Sequence, residues 1–551
     1  MAEANRVNAR PWFRNRELWF LVGVLVVSLT LRARLVSIDR IVRWDEPDYL
    51  TLGRHLITGQ GYSVSGRVDV HYPPLFPLIT GLLYPLTHDM KLNSDICFVV
   101  FGALFLLPLY WLTKRLFGAR VAAMTTLLVC IYPPLTSSVL FWGTMIEPLY
   151  LFLLFTAFCA AWLAWERQTP ASYALVGGLF GLTYLVKPEA LVYLGWFLAL
   201  LALGQVWRRK LLCSRTLLGL VSAIAVFALV ISPYILFLYK ETGRILITGK
   251  LGVTYVAGEG AVVHDPGLYD RALARLDSAG EEIIWFSPDR FKYDLWQIIR
   301  ANPRAFLVRT WRNVNALEAL LFVRRVFPFY LLIPVALGVL GQPWDKERLV
   351  KELFLLATIP PVLVFMPFHI ELRYFAALLP VLIIWVAKGI DALAWWATQT
   401  WQKLRPTSRS AASVGRTSTI VLCGLLLVYF AVLQPSVVAD GLAEQNQSRR
   451  EAGLWLKEHS SPDAMIMSRD TEVAFYADRR WAATPNEEYA RFIDYVRHRG
   501  ANYVIVDERE ITVIRPQLKL LLNEESPPQE LRHVYTALDP RGRTIVYEVL
   551  P

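Results

Sequence analysis

Three carboxylates fall within four residues at Asp45, Glu46 and Asp48, in the stretch Arg43-Trp44-Asp45-Glu46-Pro47-Asp48-Tyr49 directly after an apolar run. Neighbouring carboxylates raise each other's proton affinity, so one at a shielded position can act as a base while another binds hydroxyls or an ion. The same acids also suit a helix start, where the backbone dipole favours negative charge. Spacing alone does not choose between these readings. Other groups of the same character follow: His71-Tyr72-Pro73-Pro74, Glu147, Lys187-Pro188-Glu189 and His369-Ile370-Glu371-Leu372-Arg373-Tyr374. Each sits at the edge of an apolar run, where a charged side chain often only reaches toward lipid headgroups. Together, and on one side, they would set acids beside cations, with Lys187 and Arg373 able to hold a phosphate.

What must position them is a membrane. The 551 residues are 55% hydrophobic and 19% charged, against roughly 25% charged in an average soluble protein. Mean hydropathy is +0.38, and the apolar residues lie in blocks of about 20, the length that spans a bilayer. The composition excludes a disordered chain and argues against a soluble enzyme. Eleven spans are expected at 18–36, 94–113, 121–140, 146–164, 172–186, 189–206, 216–239, 327–341, 351–368, 372–390 and 417–436. With the N-terminus inside, the segments 1–16, 114–120, 165–171, 207–215, 342–351 and 388–416 carry 20 Lys and Arg against 5 Asp and Glu. The first outer loop, 37–95, carries 5 against 7. This asymmetry follows the positive-inside rule and explains the net charge of +11 without nucleic acid. The first run lacks a small-residue cleavage site and reads as a retained span. Cys97, Cys130, Cys159, Cys213 and Cys423 have no CxxC spacing, so neither a disulfide framework nor a zinc site is encoded.

On this topology the outer loops 37–95 and 240–326 and the tail share one side. The expected division is a membrane domain, 1–439, and an extracytoplasmic α/β domain, 440–551. The tail reads as an amphipathic stretch near 442–458, a strand at Ala464–Met467, a helix at 487–498, a strand at Tyr503–Val506, and a hairpin pairing His533–Thr536 with Thr544–Val549. Its charged residues read as a solvated face. Pro303–Val323, with Arg304, Arg309 and Arg312 among apolar residues, suits a helix lying on the membrane surface.

The residues also carry a resemblance. Asp45-Glu46-x-x-Tyr49 after the first span, Tyr72-Pro73-Pro74, Lys187-Pro188 and Arg373-Tyr374 resemble the bacterial members of the protein O-mannosyltransferase and aminoarabinose transferase group, integral-membrane glycosyltransferases of the C fold class. In the tail, Gly453-Leu454-Trp455-Leu456-Lys457 and Tyr503-Val504-Ile505-Val506-Asp507 are similar to the small domain that ends many of them. The extra lumenal repeat module of the eukaryotic protein mannosyltransferases is absent. The resemblance implies transfer of a sugar, with inversion, from a polyprenyl phosphate to a hydroxyl on a glycan, lipid or protein, at the outer face of a bacterial plasma membrane. Asp45 would be the base, Glu46 would orient it or the acceptor, and Lys187 and Arg373 would bind the donor phosphate. Tyr49, His71, Tyr72, Glu189, His369, Glu371 and Tyr374 would contact substrate.

No nucleotide-binding glycine loop is present, which suits a lipid donor. No cofactor is implied with certainty; a divalent cation would need several of Asp45, Glu46, Asp48, His369 and Glu371 close together. A polysaccharide polymerase or ligase, or a lipid or sugar transporter, are the competing readings. A transporter would carry charges near mid-span, where few are found.

Overall fold

The computed structural model describes residues 11–207, 214–405 and 411–551. Cys213 and parts of the expected inner segments 1–16, 207–215 and 388–416 lie outside the described residues. Among the described residues, six helices are long and apolar enough to cross a membrane: Arg16–Val36, Met90–Phe117, Glu147–Arg167, Ser214–Thr242, Leu378–Leu404 and Ser413–Ala443. Shorter apolar helices lie at Leu75–Thr87, Ala119–Cys130, Ala190–Val206, Leu251–Val263 and Phe329–Leu340. Cys97, Cys130, Cys159 and Cys423 are free thiols.

Two of the eleven expected spans are broken, both by proline. The run at 121–140 is helical only to Cys130; Pro133-Pro134 then force 3₁₀ turns at Pro133–Leu135 and Ser138–Phe141. The run at 351–368 is a helix, Lys346–Leu356, followed by the 3₁₀ segment Pro360–Phe365. Proline lacks the amide hydrogen that would continue the ladder, and hydropathy does not register that loss. The expected span 372–390 likewise opens on a 3₁₀ turn, Leu372–Phe375, so that Arg373 stands ahead of the helix Leu378–Leu404.

The first outer loop is built around two packed helices, Glu46–Ile57 and Leu75–Thr87. Glycine sets their separation. A Cβ on Gly53 would lie 2.5 Å from the Pro77 carbonyl oxygen, and one on Gly81 would lie 2.4 Å from the Gly53 carbonyl oxygen. Direct backbone contact fixes the two N-terminal ends, which carry the acids and Tyr72, relative to one another.

In the helix Pro303–Leu321 the expected pattern is turned around. Arg309 and Asn313 are buried, while Leu307, Trp311 and Val314 face outward. An apolar outer face suits a membrane surface. Arg309 does not interrupt that face: its Nε donates to the Phe368 carbonyl at 2.7 Å and its Nη1 to Glu259 at 2.7 Å. Asn313 adds a bond to the Met366 carbonyl at 2.7 Å. Together they anchor the chain just before His369.

The last long helix, Ala411–Ala443, runs past the expected boundary at 439/440, because the end of apolar surroundings is not the end of a helical backbone. After it come the helix Gln447–His459 and a five-stranded sheet ordered 480–483, 465–468, 503–507, 542–549, 531–539. Strand Met465–Ser468 pairs parallel with both neighbours, and the last two pairings are antiparallel. The strand Arg480–Ala483 carried no sequence signal of its own. Met467, Phe492, Val504, Ile545 and Tyr547 fill one side of the sheet.

The tail docks on both outer loops. The Val42 amide donates to Tyr476 Oη at 2.7 Å, and Ile41 to Gln445 at 2.9 Å. Asp270 of loop 240–326 is fully buried between two arginines of the tail, Arg515 at 2.7 Å and Arg469 at 3.0 Å. A buried acid so placed is expensive to remove, because two arginines lose their partner. Asp270→Ala is expected to destabilise this docking by about 3–5 kcal/mol, read as faster proteolytic release of the tail from the detergent-solubilised protein; unchanged release would show that the contact is dispensable.

Candidate active site

The site begins where the first apolar helix ends. Trp44 takes a left-handed backbone (φ 59°), and the Glu46 amide donates to the Gly143 carbonyl at 2.9 Å, so the chain turns sharply into the helix Glu46–Ile57. Pro47 occupies its first turn, where a missing amide hydrogen costs nothing. Asp45 stands at the cap position but makes no side-chain cap bond. Its carboxylate is committed elsewhere: Oδ2 accepts from Arg373 Nη1 at 3.1 Å, and Oδ1 faces Tyr72 Oη at 3.4 Å, with the side chain 35% exposed. The helix-cap reading therefore does not describe Asp45.

Glu46 behaves differently. It is wholly buried, gripped by Arg40 through two bonds of 2.8 and 2.9 Å and by the Ser94 hydroxyl at 2.7 Å, and Arg40 also holds Asp95 at 2.7 Å. Glu46 was expected to orient the base or the acceptor; its carboxylate has no exposure and its bonds are filled by Arg40 and Ser94. Tyr49 and His71 are buried as well. Tyr49 packs on the rings of Tyr72 and Phe76, and His71 on Trp285. His71 Nδ1 accepts from Arg290 at 3.1 Å. Burial, with the Lys250 and Arg290 charges, holds its pKa well below the usual histidine value, so it is neutral near pH 7.

Around Asp45 the remaining groups converge. Arg373 is shared between Asp45 and Glu371. Burial alone would raise the Glu371 carboxyl, but the Arg373 guanidinium and the His369 ring hold it down to about 2. His369 Nε2 lies 3.1 Å from Glu371 and 3.0 Å from Tyr374 Oη. Lys187 sits 3.4 Å from Glu147 and 3.9 Å from Glu189, over the Tyr150 ring and 6.0 Å from that of Tyr374. The site thus holds Asp45, Tyr72, Lys187, Glu189, His369, Glu371, Arg373 and Tyr374 together, and leaves Glu46, Tyr49 and His71 as its buried support.

Three further groups join the site: Asp48, from the acidic stretch already noted, and Lys250 and Thr471, which carried no usable signal in the sequence. Lys250 belongs to loop 240–326 and lies 4.5 Å over the Tyr72 ring. It is brought there by Gly249, whose added Cβ would stand 2.1 Å from the Val70 carbonyl oxygen. Burial lowers its ammonium to about 8, against the opposing pull of Asp45. Asp48 accepts from Tyr72 Oη at 3.0 Å. Burial pushes its carboxyl up to about 8, with the Asp45 and Asp69 charges adding to the effect and the hydroxyls of Thr471 and Tyr72 opposing it. Thr471 comes from the tail, so the tail is not merely a solvated face: it supplies a wall of the site.

Chemically, this is a carboxylate beside three cations. Such a set can take a proton from a hydroxyl while neutralising an oxyanion that leaves. Among the described residues no group of three His, Cys, Asp or Glu is arranged to hold a metal ion. Of the acids that a divalent cation would need, Glu46 lies under Arg40 and Glu371 on Arg373.

The whole architecture matches solved structures. ArnT from Cupriavidus metallidurans bound to undecaprenyl phosphate superposes with a TM-score of 0.58 at 13% identity, over 97% of this chain and 98% of that one. The chain has the fold of the C-class membrane glycosyltransferases. The oligosaccharyltransferase AglB from Archaeoglobus fulgidus, in complex with an inhibitory peptide and a dolichol-phosphate, shares this fold with a TM-score of 0.58 at 17% identity, over 96% of this chain and 74% of that one. The apo oligosaccharyltransferase of the same organism gives 0.60 at 16% identity, over 98% and 75%. Residues 71–236 match the family described as dolichyl-phosphate-mannose-protein mannosyltransferase. No curated protein matches by sequence. The resemblance drawn from the motifs is borne out. The matched stretch contains Tyr72-Pro73-Pro74 and Lys187-Pro188, while Asp45 and Arg373 lie outside it.

In this glycosyltransferase fold the buried Arg40 cluster separates structural acids from available ones. Arg40→Ala is expected to cost about 3–5 kcal/mol, since Glu46 and Asp95 would be left buried without that cation; thermal unfolding in detergent measures it. A loss below about 1 kcal/mol would mean that Glu46 is not held as a structural group.

Proposed function

We propose that the protein transfers a sugar, with inversion, from a polyprenyl-phosphate donor to a hydroxyl acceptor on the extracytoplasmic side of a bacterial plasma membrane. The observation that carries this reading is the 3.1 Å ion pair between Arg373 and Asp45, drawn from opposite ends of the membrane part. It supports the reading in which a base and a phosphate-binding cation act at one point. Asp45 accepts the proton of the attacking hydroxyl, whose oxygen forms the new bond to the anomeric carbon. The bond from that carbon to the phosphate oxygen breaks, and its electron pair leaves with the lipid phosphate. Arg373, Lys187 and Lys250 neutralise that charge. Glu46 acts as a positioning residue through Arg40. An ArnT bound to undecaprenyl phosphate and an AglB bound to a dolichol-phosphate, both of the same fold, support a lipid-phosphate donor. The basic excess on the opposite loops supports a cytoplasmic N-terminus and an outer tail.

Asp45 is paired with the cation that the donor would engage. Phosphate on Arg373 weakens that pair and frees the base when there is a bond to break. Asp45→Asn is therefore expected to slow transfer by about 10²–10⁴-fold, with donor affinity held or improved, because Arg373 loses a competing carboxylate. Turnover of a labelled polyprenyl-phosphate sugar tests this, and near-normal turnover would exclude Asp45 as the base.

Lys250 gives the reading a pH signature. Its ammonium is charged below about 8 and neutral above, so donor affinity is expected to fall as pH rises through that value. Asp48, with a carboxyl also near 8, gains negative charge in the same window and acts in the same direction. Lys250→Arg keeps the charge throughout and is expected to flatten the lysine's share. Donor titrations across this range decide it. An unchanged inflection in Lys250→Arg assigns the effect to Asp48, and no inflection in the native protein removes Lys250 from the phosphate site.

A further inference from the structure

A cavity lies far from these groups. It measures about 1270 Å³ and opens between the helices that begin near Glu17 and Lys346 and those that end near Lys114 and Glu166. Its walls are apolar, including Leu21, Leu107, Phe152, Thr156, Trp162 and Val350. Along the helix Glu147–Arg167 the lining runs from Phe152 to Glu166, about 21 Å at 1.5 Å per residue. One leaflet of the hydrocarbon core is about 15 Å deep. The groove is therefore deep enough to take one lipid chain, with its mouth at headgroup level.

The mouth carries the charge. Lys114, Arg115, Lys346 and Lys351 stand against Glu17, Glu166 and Glu347. Three ion pairs, Lys114–Glu17, Arg115–Glu166 and Lys351–Glu347, use all the acids and leave Lys346 without an acid partner among the described residues. Trp111 and Trp162 lie at the same level, and the Trp162 indole is tied to Glu166 at 2.7 Å. Aromatic rings and lysines at a helix end mark the membrane interface. These residues belong to or border the segments that carry the basic excess. Basic pockets between spans on that side suit anionic lipid headgroups.

We infer that this groove is a binding site for one anionic glycerophospholipid of the leaflet opposite the active site, its phosphate at Lys346 and Lys114 and one acyl chain along Thr156 toward Phe152. The occupant is distinct from the sugar donor. Glu166 at the mouth and Glu147 at the active site are the two ends of one helix, nineteen residues apart, which is about 28 Å. A phosphate seated at the mouth is out of reach of Asp45, Arg373 and Lys187. The inference does not depend on the proposed activity.

Native mass spectrometry of the detergent-purified full chain tests it, with dioleoyl phosphatidylglycerol and dioleoyl phosphatidylcholine as probes. The wild type is expected to retain one phosphatidylglycerol at least about fivefold more than phosphatidylcholine, a difference of about 1 kcal/mol by the usual conversion. Lys114→Glu with Lys346→Glu, at exposed helix ends, is expected to abolish that preference. Thr156→Trp, which fills the groove, is expected to remove retention of either lipid. Equal retention of the two lipids by the wild type would overturn the inference, as would preference unchanged by the charge reversal. So would displacement of the retained lipid by undecaprenyl phosphate at equal concentration. Should Thr156→Trp not fold, the charge-reversed variant alone decides.

Discussion

Arg40 has no contact with water, and a guanidinium in that position must be matched by acid or it destabilises the fold. It is matched twice, by Glu46 at the start of one helix and by Asp95 in another. This one cation ties the end of the first membrane helix to the helix Glu46–Ile57 and to the helix Met90–Leu104, and Ser94 completes the cage around Glu46. Asp45 is the residue immediately before the held glutamate. With Glu46 drawn into the protein, its neighbour on the turn is left at the rim, partly exposed and facing Tyr72 and Arg373. Two adjacent acids are thus given opposite tasks by their surroundings, one structural and one open to chemistry.

The same logic of matched charge governs the open part of the site. Two of its three cations have acids beside them: Arg373 has Asp45 and Glu371, and Lys187 has Glu147 and Glu189. Such a site meets the charge of Arg373 and Lys187 from within the protein. On the proposed reading it is also poised, since an arriving phosphate competes with the carboxylates for the same donors. Glu371, held ionised by Arg373 and His369, stays with Arg373 and keeps its geometry, while Asp45, the partner in reach of Tyr72, is the one to be released.

How far the sequence could lead depended on whether a feature is local. The acids after the first span, the Tyr72-Pro73-Pro74 entry, the Lys187 corner and the Arg373 stretch are short motifs, and all were readable. Apolar blocks gave the membrane helices, and alternation gave the strands at 465–468, 503–507, 531–539 and 542–549 to within a few residues. What could not be read was long-range. Nothing near Lys250 says that Gly249 lets it lie on Tyr72, and nothing in Asp45-Glu46 says that Arg40 will claim only the second acid. Arg309 was read as an interruption of an apolar face because a pattern of types does not reveal which side of a helix meets protein. Pro133-Pro134 and Pro360-Pro361 stood in plain view, but hydropathy averaged over them.

The tail shows why charged residues on a soluble-looking domain need not be solvated. Arg449 is surrounded by Asp470, Glu472, Asp507 and Glu510, and Arg469 joins Asp470 to Asp270 of the outer loop. Burial raises Glu472 and Glu510 to about 7 even beside Arg449, so the cluster is enclosed by protein. Directional ion pairs between buried groups tolerate little change of angle, and they hold the turn Arg469-Asp470-Thr471-Glu472 in one orientation. Thr471 on that turn meets Asp48. Burial raises the Asp48 carboxyl to about 8, while the Thr471 hydroxyl brought by this turn opposes that rise. An ionised Asp48 would add negative charge beside Asp45 and Tyr72, and would work against a phosphate on Arg373. The tail therefore bears on the charge at Asp48 through a hydroxyl that favours its ionised form.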